Sequence, residues 1–321
     1  MNNVEGLIEQ AYERLKELDA VSALNLLQQA LKIDFEHPEV KYGMKCVNWW
    51  LERIKKLDEF HSPYEKGGYL ISQWKPFHVF LDQIGSSASA NTTENPAFSD
   101  SCQYVFRRFV FSLALKHFEE LLSVNNPDPE ILLLAGRCHK ATGNYEEAVK
   151  YLEQASGSRP DESGTLAELA DVNALLGDER AAKVLFREAF YIDPQAVDFW
   201  FMESEMILRL REKVSGLGFT GTELAEWIPV YGALWGIFSI QRELKPVELG
   251  KLKQSILALE SEISNKPGGS AKPRLLNRYF RLIDHYGIFR TRNARDNSGV
   301  VEETMRKIKF IDPAVYEQYR S

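Results

Sequence analysis

The sequence predicts an all-α protein whose centre is a solenoid of helix-turn-helix units. Three observations predict it. Apolar and small residues recur at a spacing of 34 through the middle of the 321-residue chain, no segment reads convincingly as a strand, and the composition is that of an ordinary globular protein, 44% hydrophobic and 26% charged. Such a composition excludes collagen-like, wholly disordered and membrane-integral classes. At roughly 150 residues per domain the length suits about two domains, enough to bury a core without disulfides. Cys46, Cys102 and Cys138 form no CxxC pair, which fits a reducing compartment and excludes zinc ribbons and thioredoxin chemistry. The N-terminus has no basic stretch followed by an apolar core, so a cytoplasmic protein is expected.

The period carries the central elements. Ala148, Leu152, Ala155 and Pro160 return as Ala182, Phe186, Ala189 and Pro194, and Gly143 returns as Gly177. Leu132 and Gly136 return as Leu166 and Ala170, then as Trp200 and Ser204, while Ala114, Phe118 and Leu121 lie one period upstream of Ala148, Leu152 and Ala155. Two antiparallel helices per unit explain the pattern: Gly136, Ala170, Ser204, Ala148 and Ala182 let the pair approach closely where it crosses. Gly143-Asn144 and Gly177-Asp178 end one helix and cap the next, and Pro160 and Pro194 stop the second. One hairpin cannot bury its apolar stripe alone, so neighbours stack.

Over 129–162 and 163–196 these residues resemble the tetratricopeptide repeat family, whose unit is a 34-residue helix-turn-helix. His139 and Asn173 replace the family's usual aromatic late in the first helix. A half unit follows at 197–213 with Trp200 at the tryptophan position. A degenerate unit opens the chain, where Leu7, Ala11, Ala23, Leu27 and Ala30 keep the internal spacing of Leu132, Gly136, Ala148, Leu152 and Ala155. The resemblance implies binding of another protein or peptide along the first helices. The inward positions are then Leu133, Arg137 and Lys140, Ala167, Asp171 and Ala174, and Phe201, Glu205, Leu208 and Arg209. The family's carboxylate clamp is not expected, because Asp171 and Glu205 would repel a carboxylate; a basic partner, including the chain's own C-terminal region, suits them better.

Around this core at 101–213, a degenerate helical region is expected at 1–84, with long helices at 38–60 and 69–84. The Ser/Asn/Thr-rich segment 85–100 reads as a mobile loop that interrupts a helix pair. The segment 227–241 carries no charge, and its Trp227, Tyr231, Leu234, Trp235 and Phe238 surround the whole helical circumference. It is too short for a membrane span and belongs in a core or interface, with Gly232 and Gly236 admitting a second helix. Leu249, Leu252, Ile256, Leu259 and Ile263 space as a short coiled-coil seam. Over 214–264 these two helices either pair as a cap or make a homodimer, with Trp227, Tyr231, Trp235, Phe238, Leu252, Ile256 and Leu259 as the self-association residues. A linker at 265–273 precedes basic helices at 274–293, 299–310 and 312–320.

The formal net charge of −7 is uneven: residues 272–321 hold 11 Lys+Arg against 6 Asp+Glu, so the tail is +5 and the rest −12. Such asymmetry fits docking on the chain's own acidic body, or an acidic ligand. Nucleic acid is the less favoured partner; it would use Arg274, Arg278, Arg281, Arg290, Arg292 and Arg295 interleaved with Tyr279, Phe280, Tyr286 and Phe289. Tyr279, Phe280, Leu282, Ile283 and Tyr286 also fit a buried helical stripe. The six histidines show no metal-ligand spacing, GLGFTG (216–221) follows a helix and reads as a turn rather than a dinucleotide loop, and no catalytic constellation appears. The sequence therefore points to a non-enzymatic, cofactor-free interaction scaffold.

Overall fold

The computed structural model describes residues 4–88, 96–238, 243–265, 269–289 and 298–320. It divides into two compact units, Met1–Ser158 and Arg159–Ser321, and among the described residues every regular element is helical.

The N-terminal unit opens with a hairpin of α1 (Val4–Lys16) and α2 (Ala20–Ile33). Leu7, Ala11, Ala23, Leu27 and Ala30 are all buried, as the degenerate spacing requires. Asp19 caps α2 by accepting the Ser22 N–H at 2.9 Å. There follow α3 (Pro38–Lys55), a 3-10 turn (Lys56–Glu59), α4 (Pro63–Ser72), α5 (Trp74–Ala88), α6 (Pro96–Leu122), α7 (Pro129–Ala141) and α8 (Tyr145–Ser158). The single helix expected at 69–84 is in fact two. A capping box starts α4, with the Ser62 hydroxyl accepting the Glu65 N–H and the Glu65 carboxylate accepting the Ser62 N–H, and Pro76 lacks the N–H that would carry α4 onward. Segment 85–100 is also not one loop: α5 runs to Ala88 and α6 begins at Pro96, and 89–95 lies outside the described residues.

The hairpin that this segment interrupts is α4 with α6. A Cβ at Gly67 would lie 2.4 Å from Cζ of Phe118. The same device closes α7 on α8, where a Cβ at Gly136 would lie 2.6 Å from Cγ of Leu152 and 3.3 Å from the Ala148 carbonyl. Phe118 precedes Leu152 by one period, so the two crossings are equivalent. The inserted helices carry their own aromatic core: Phe77 lies 5.1 and 5.2 Å from Trp49 and Trp50 and 5.6 Å from Phe106.

The C-terminal unit contains α9 (Ser163–Leu175), α10 (Glu179–Ile192), a 3-10 turn (Pro194–Ala196), α11 (Glu205–Ser215), α12 (Gly221–Leu234), α13 (Pro246–Asn265), α14 (Ala271–Phe289), α15 (Ser298–Ile311) and α16 (Pro313–Arg320). Gly177 ends α9 at φ +86° and Asp178 caps α10 by accepting the Ala181 N–H. The expected half unit at 197–213 is corrected: 197–204 is not helical, and α11 starts only at Glu205. Trp200 is therefore not at a repeat position and Ser204 is the N-cap of α11.

The apolar helix is shorter than the uncharged run. It ends at Leu234, Gly236 turns the chain at φ +72°, and the Phe238 N–H returns to the Gly232 carbonyl at 2.9 Å. The Phe238 ring lies where a Gly232 Cβ would be, at 2.3 Å. Gly232 thus admits a folded-back phenylalanine and Gly236 ends a helix, instead of the pair admitting a second helix; 239–242 lies outside the described residues. Nor is α13 the chief partner of α12. Both pack on α14, which brings Leu252, Ile256, Leu275, Leu276, Tyr279 and Phe280 into one core. The buried His285 imidazole accepts the Leu244 N–H on Nδ1 at 3.1 Å.

Two predictions follow from these contacts. Gly67→Ala should lower stability by roughly 1–3 kcal/mol through overpacking against Phe118, whereas Gly68→Ala, with open space around it, should gain about 0.5–1 kcal/mol of helix propensity; urea unfolding of both variants checks the opposite signs. Burial lowers the His285 pKa, with Glu243 opposing and Lys253 adding to the shift. Between that lowered value and the ordinary value near 6.5, the unfolded chain binds more protons than the folded one, so stability falls as pH drops through this window. His78, His117 and His139 are shifted in the same direction. Thermal unfolding should begin lower at pH 5.5 than at pH 7.5, with a smaller difference in His285→Gln.

Candidate functional site

The positions expected to line a groove fall into unlike environments. In the N-terminal unit α7 carries Leu133, buried, Arg137, half-buried, and Lys140, fully buried. His139 stacks on Tyr151 of α8, with ring centroids 5.2 Å apart and planes 7° from parallel, so it does the packing of the aromatic it replaces. Arg107 of α6 donates through Nε to the Ala141 carbonyl at 3.0 Å, tying α6 to the end of α7.

In the C-terminal unit Asp171 is not on an open wall. It is fully buried, and its carboxylate accepts the Glu203 and Ser204 N–H groups, each at 2.9 Å. Ser204 makes no side-chain cap, so a carboxylate from α9 supplies the acceptor at the start of α11, favoured there by the helix dipole. A pairing of Asp171 with Glu205 toward one basic partner is thus replaced by an internal role for Asp171. Ala167 is buried, Ala174, Phe201 and Leu208 are half-buried, and Glu205 and Arg209 are exposed and ion-paired to each other one turn apart.

The arginines of the tail face inward. Arg274 grips the buried Glu226 carboxylate through Nε at 2.9 Å from each oxygen, Gln195 donates to the same carboxylate at 2.7 Å, and Asp193 lies 3.6 Å away. The bond to Glu226 holds the Arg274 pKa above its ordinary value. On α10, Glu188 pairs with Arg281 at 2.7 Å and Arg187 pairs with Asp284, while the Tyr191 ring lies 4.0 and 3.8 Å from the guanidinium carbons of Arg278 and Arg281. Burial pushes the Asp284 carboxyl up and Arg187 opposes it. Tyr279 and Phe280 are buried, Phe280 stacking on Tyr319 at 4.6 Å, and Tyr286 is half-buried. Arg290, Arg292 and Arg295 lie outside the described residues, as does the side chain of Phe289. The basic tail therefore docks within its own unit. Its acidic receptors, Glu188 and Glu226, escaped the sequence reading; the usable signal was the spacing of Arg274, Arg278 and Arg281 on one helix face.

Of the residues expected to self-associate, Trp227, Phe238, Leu252 and Ile256 are buried in this unit, Tyr231 and Leu259 are half-buried and Trp235 is partly exposed. Phe219, Trp227, Tyr231 and Trp235 form a ladder with successive centroids 4.9, 5.8 and 5.1 Å apart. Beside it opens a cleft of about 660 Å³ lined by Phe219, Trp227, Tyr231, Lys272, Phe310 and Asp312. A second cleft of about 400 Å³ lies along α15, lined by Glu260, Ile263, Tyr279, Glu303, Arg306 and Phe310. GLGFTG is a turn from α11 to α12, with Gly218 and Gly221 at positive φ. Among the described residues no three His, Cys, Asp or Glu side chains are grouped to hold a metal, and no helix is long and apolar enough to cross a membrane.

Comparison with family models matches the tetratricopeptide repeat over residues 111–170. No curated protein and no solved structure matches the chain. The matched segment spans the end of α6, the α7–α8 hairpin and the first part of α9, and over these residues the chain carries the tetratricopeptide repeat.

Proposed function

We propose that the protein is a non-enzymatic, cytoplasmic scaffold that holds a partner protein or peptide on the surface of its helical hairpins. The observation that supports this reading most is the repeat itself: a hairpin closed by Gly136 under Leu152, within the stretch matched as tetratricopeptide repeat over 111–170. Repeats of this kind build extended binding surfaces rather than reaction chambers. Of the positions expected to face inward, Arg137 in the N-terminal unit, and Ala174, Phe201, Glu205, Leu208 and Arg209 in the C-terminal unit, keep some exposure. Lys140 and Asp171 support the surface from within.

An alternative in which the C-terminal helices grip nucleic acid or another acidic ligand draws on Arg274, Arg278 and Arg281. Two of these are already ion-paired and all three are packed against α10, α12 or the turn before it, so the docking reading is preferred.

The exposed Glu205–Arg209 pair offers a test that spares the fold, because exposed pairs of this kind are worth at most about 1 kcal/mol. Glu205→Lys with Arg209→Glu should lower stability by no more than about 1 kcal/mol, the worth of a charge at a helix N-terminus, and weaken the partner recovered by affinity capture and quantitative mass spectrometry by about tenfold, the effect of about 1.4 kcal/mol. Equal recovery by wild type and variant would remove α11 from the docking surface.

A further inference from the structure

Phe310 is 90% exposed, although it sits on a helix whose Ile308 is fully buried and whose Ile311 lines a cleft. It is the most exposed of the large apolar side chains among the described residues. The two clefts of the C-terminal unit lie to either side of it and share Ile263, Phe310 and Ile311. A projecting aromatic ring beside an apolar hollow is the arrangement that lets a surface bind another copy of itself.

The charges along α15 say how the copies would meet. Its outer face reads Glu302 and Glu303 in the first half, then Arg306 and Lys309, then Phe310, all exposed. The ion pairs within the helix are long, Glu302 with Arg306 at 3.9 Å and Glu303 with Lys307 at 3.7 Å, and each carboxylate is largely in water, so they compete weakly with an external partner. Parallel contact of two such helices sets like charges together. Antiparallel contact, which a two-fold axis produces, sets the acidic half of each against the basic half of the other. The face and the cleft beside it carry three acids (Glu260, Glu302, Glu303) and three bases (Arg306, Lys307, Lys309), whereas the chain carries −7. This charge-balanced surface is one where two copies approach without the repulsion found elsewhere.

We propose that the protein self-associates through α15, the two helices antiparallel about a two-fold axis. Phe310 of each copy enters the cleft between α13, α14 and α15 of the other, and Glu302 of each, which shares a helix stripe with Lys309 seven residues on, faces Lys309 of the other. This goes beyond the docking reading and uses no residue of α11, so either can fail without the other.

Light scattering at about 100 μM, where a contact of micromolar affinity is saturated, should give twice the 36.8 kDa of one chain. Phe310→Asp should return the mass to that of one chain with unchanged thermal unfolding. Glu302→Lys and Lys309→Glu should each be monomeric alone and should dimerise when mixed, since each then supplies the charge the other lacks. A wild-type mass of 36.8 kDa, a dimer indifferent to Phe310→Asp, or a mixture of the two charge variants that stays monomeric would each overturn the proposal.

Discussion

The structure depends on one steric constraint: where two helices of a hairpin cross, a glycine or other small residue on the first must leave room for the side chains of the second. Gly136 under Leu152 and Gly67 under Phe118 are the clearest cases, since at both a single methyl group would stand within 2.6 Å of the opposing side chain. Close approach sets which residues become core. Ala148, Ala155, Ala114 and Cys138 are fully buried because the helices are near enough for small side chains to fill the space between them. The constraint also survives a large interruption: α4 and α6 keep the crossing although α5 and the residues after it separate them in the chain.

The C-terminal unit solves a different problem, that of joining a basic helix to an acidic surface. Arg274 and Arg281 each find a carboxylate, Arg187 and Asp284 form the reverse pair, and Tyr191 supplies a ring face for two guanidinium groups. A buried ion pair adds little net stability over an apolar pair, yet removing one member leaves an unpaired buried charge at a cost of about 3–5 kcal/mol. The network therefore selects the seat of α14 more than it strengthens it. That seat in turn holds α12 and α13, which both pack on α14 rather than chiefly on each other.

Much of this was legible in the residues because a 34-residue period repeats a steric requirement, and steric requirements leave small residues at fixed places. Leu7, Ala11, Ala23, Leu27 and Ala30 could be placed in an N-terminal hairpin on spacing alone. Where an interaction is made by a side chain reaching to a distant backbone, periodicity is silent. Asp171 looked like a groove residue because it falls at an inward position, but its carboxylate caps a helix more than thirty residues away. Trp200 and Ser204 matched the period by residue type in a stretch that is not helical. Gly232 and Gly236 looked like a packing pair because their spacing suits one, yet each answers a local need, a ring folded back and a helix end. The self-association residues were chosen for apolarity, which does not distinguish a unit's own core from its surface: Trp227, Phe238, Leu252 and Ile256 are core, whereas Phe310, the most exposed large apolar side chain among the described residues, was passed over.

The most direct test of the crossing constraint is a double-mutant cycle on Gly136→Ala and Leu152→Ala, read by urea unfolding. If the two residues share one space, the added methyl occupies part of the cavity left by the leucine, and the double variant should be more stable than the sum of the single effects by about 0.5–3 kcal/mol. Strict additivity would mean that the glycine and the leucine do not meet, and that the hairpins close for some other reason.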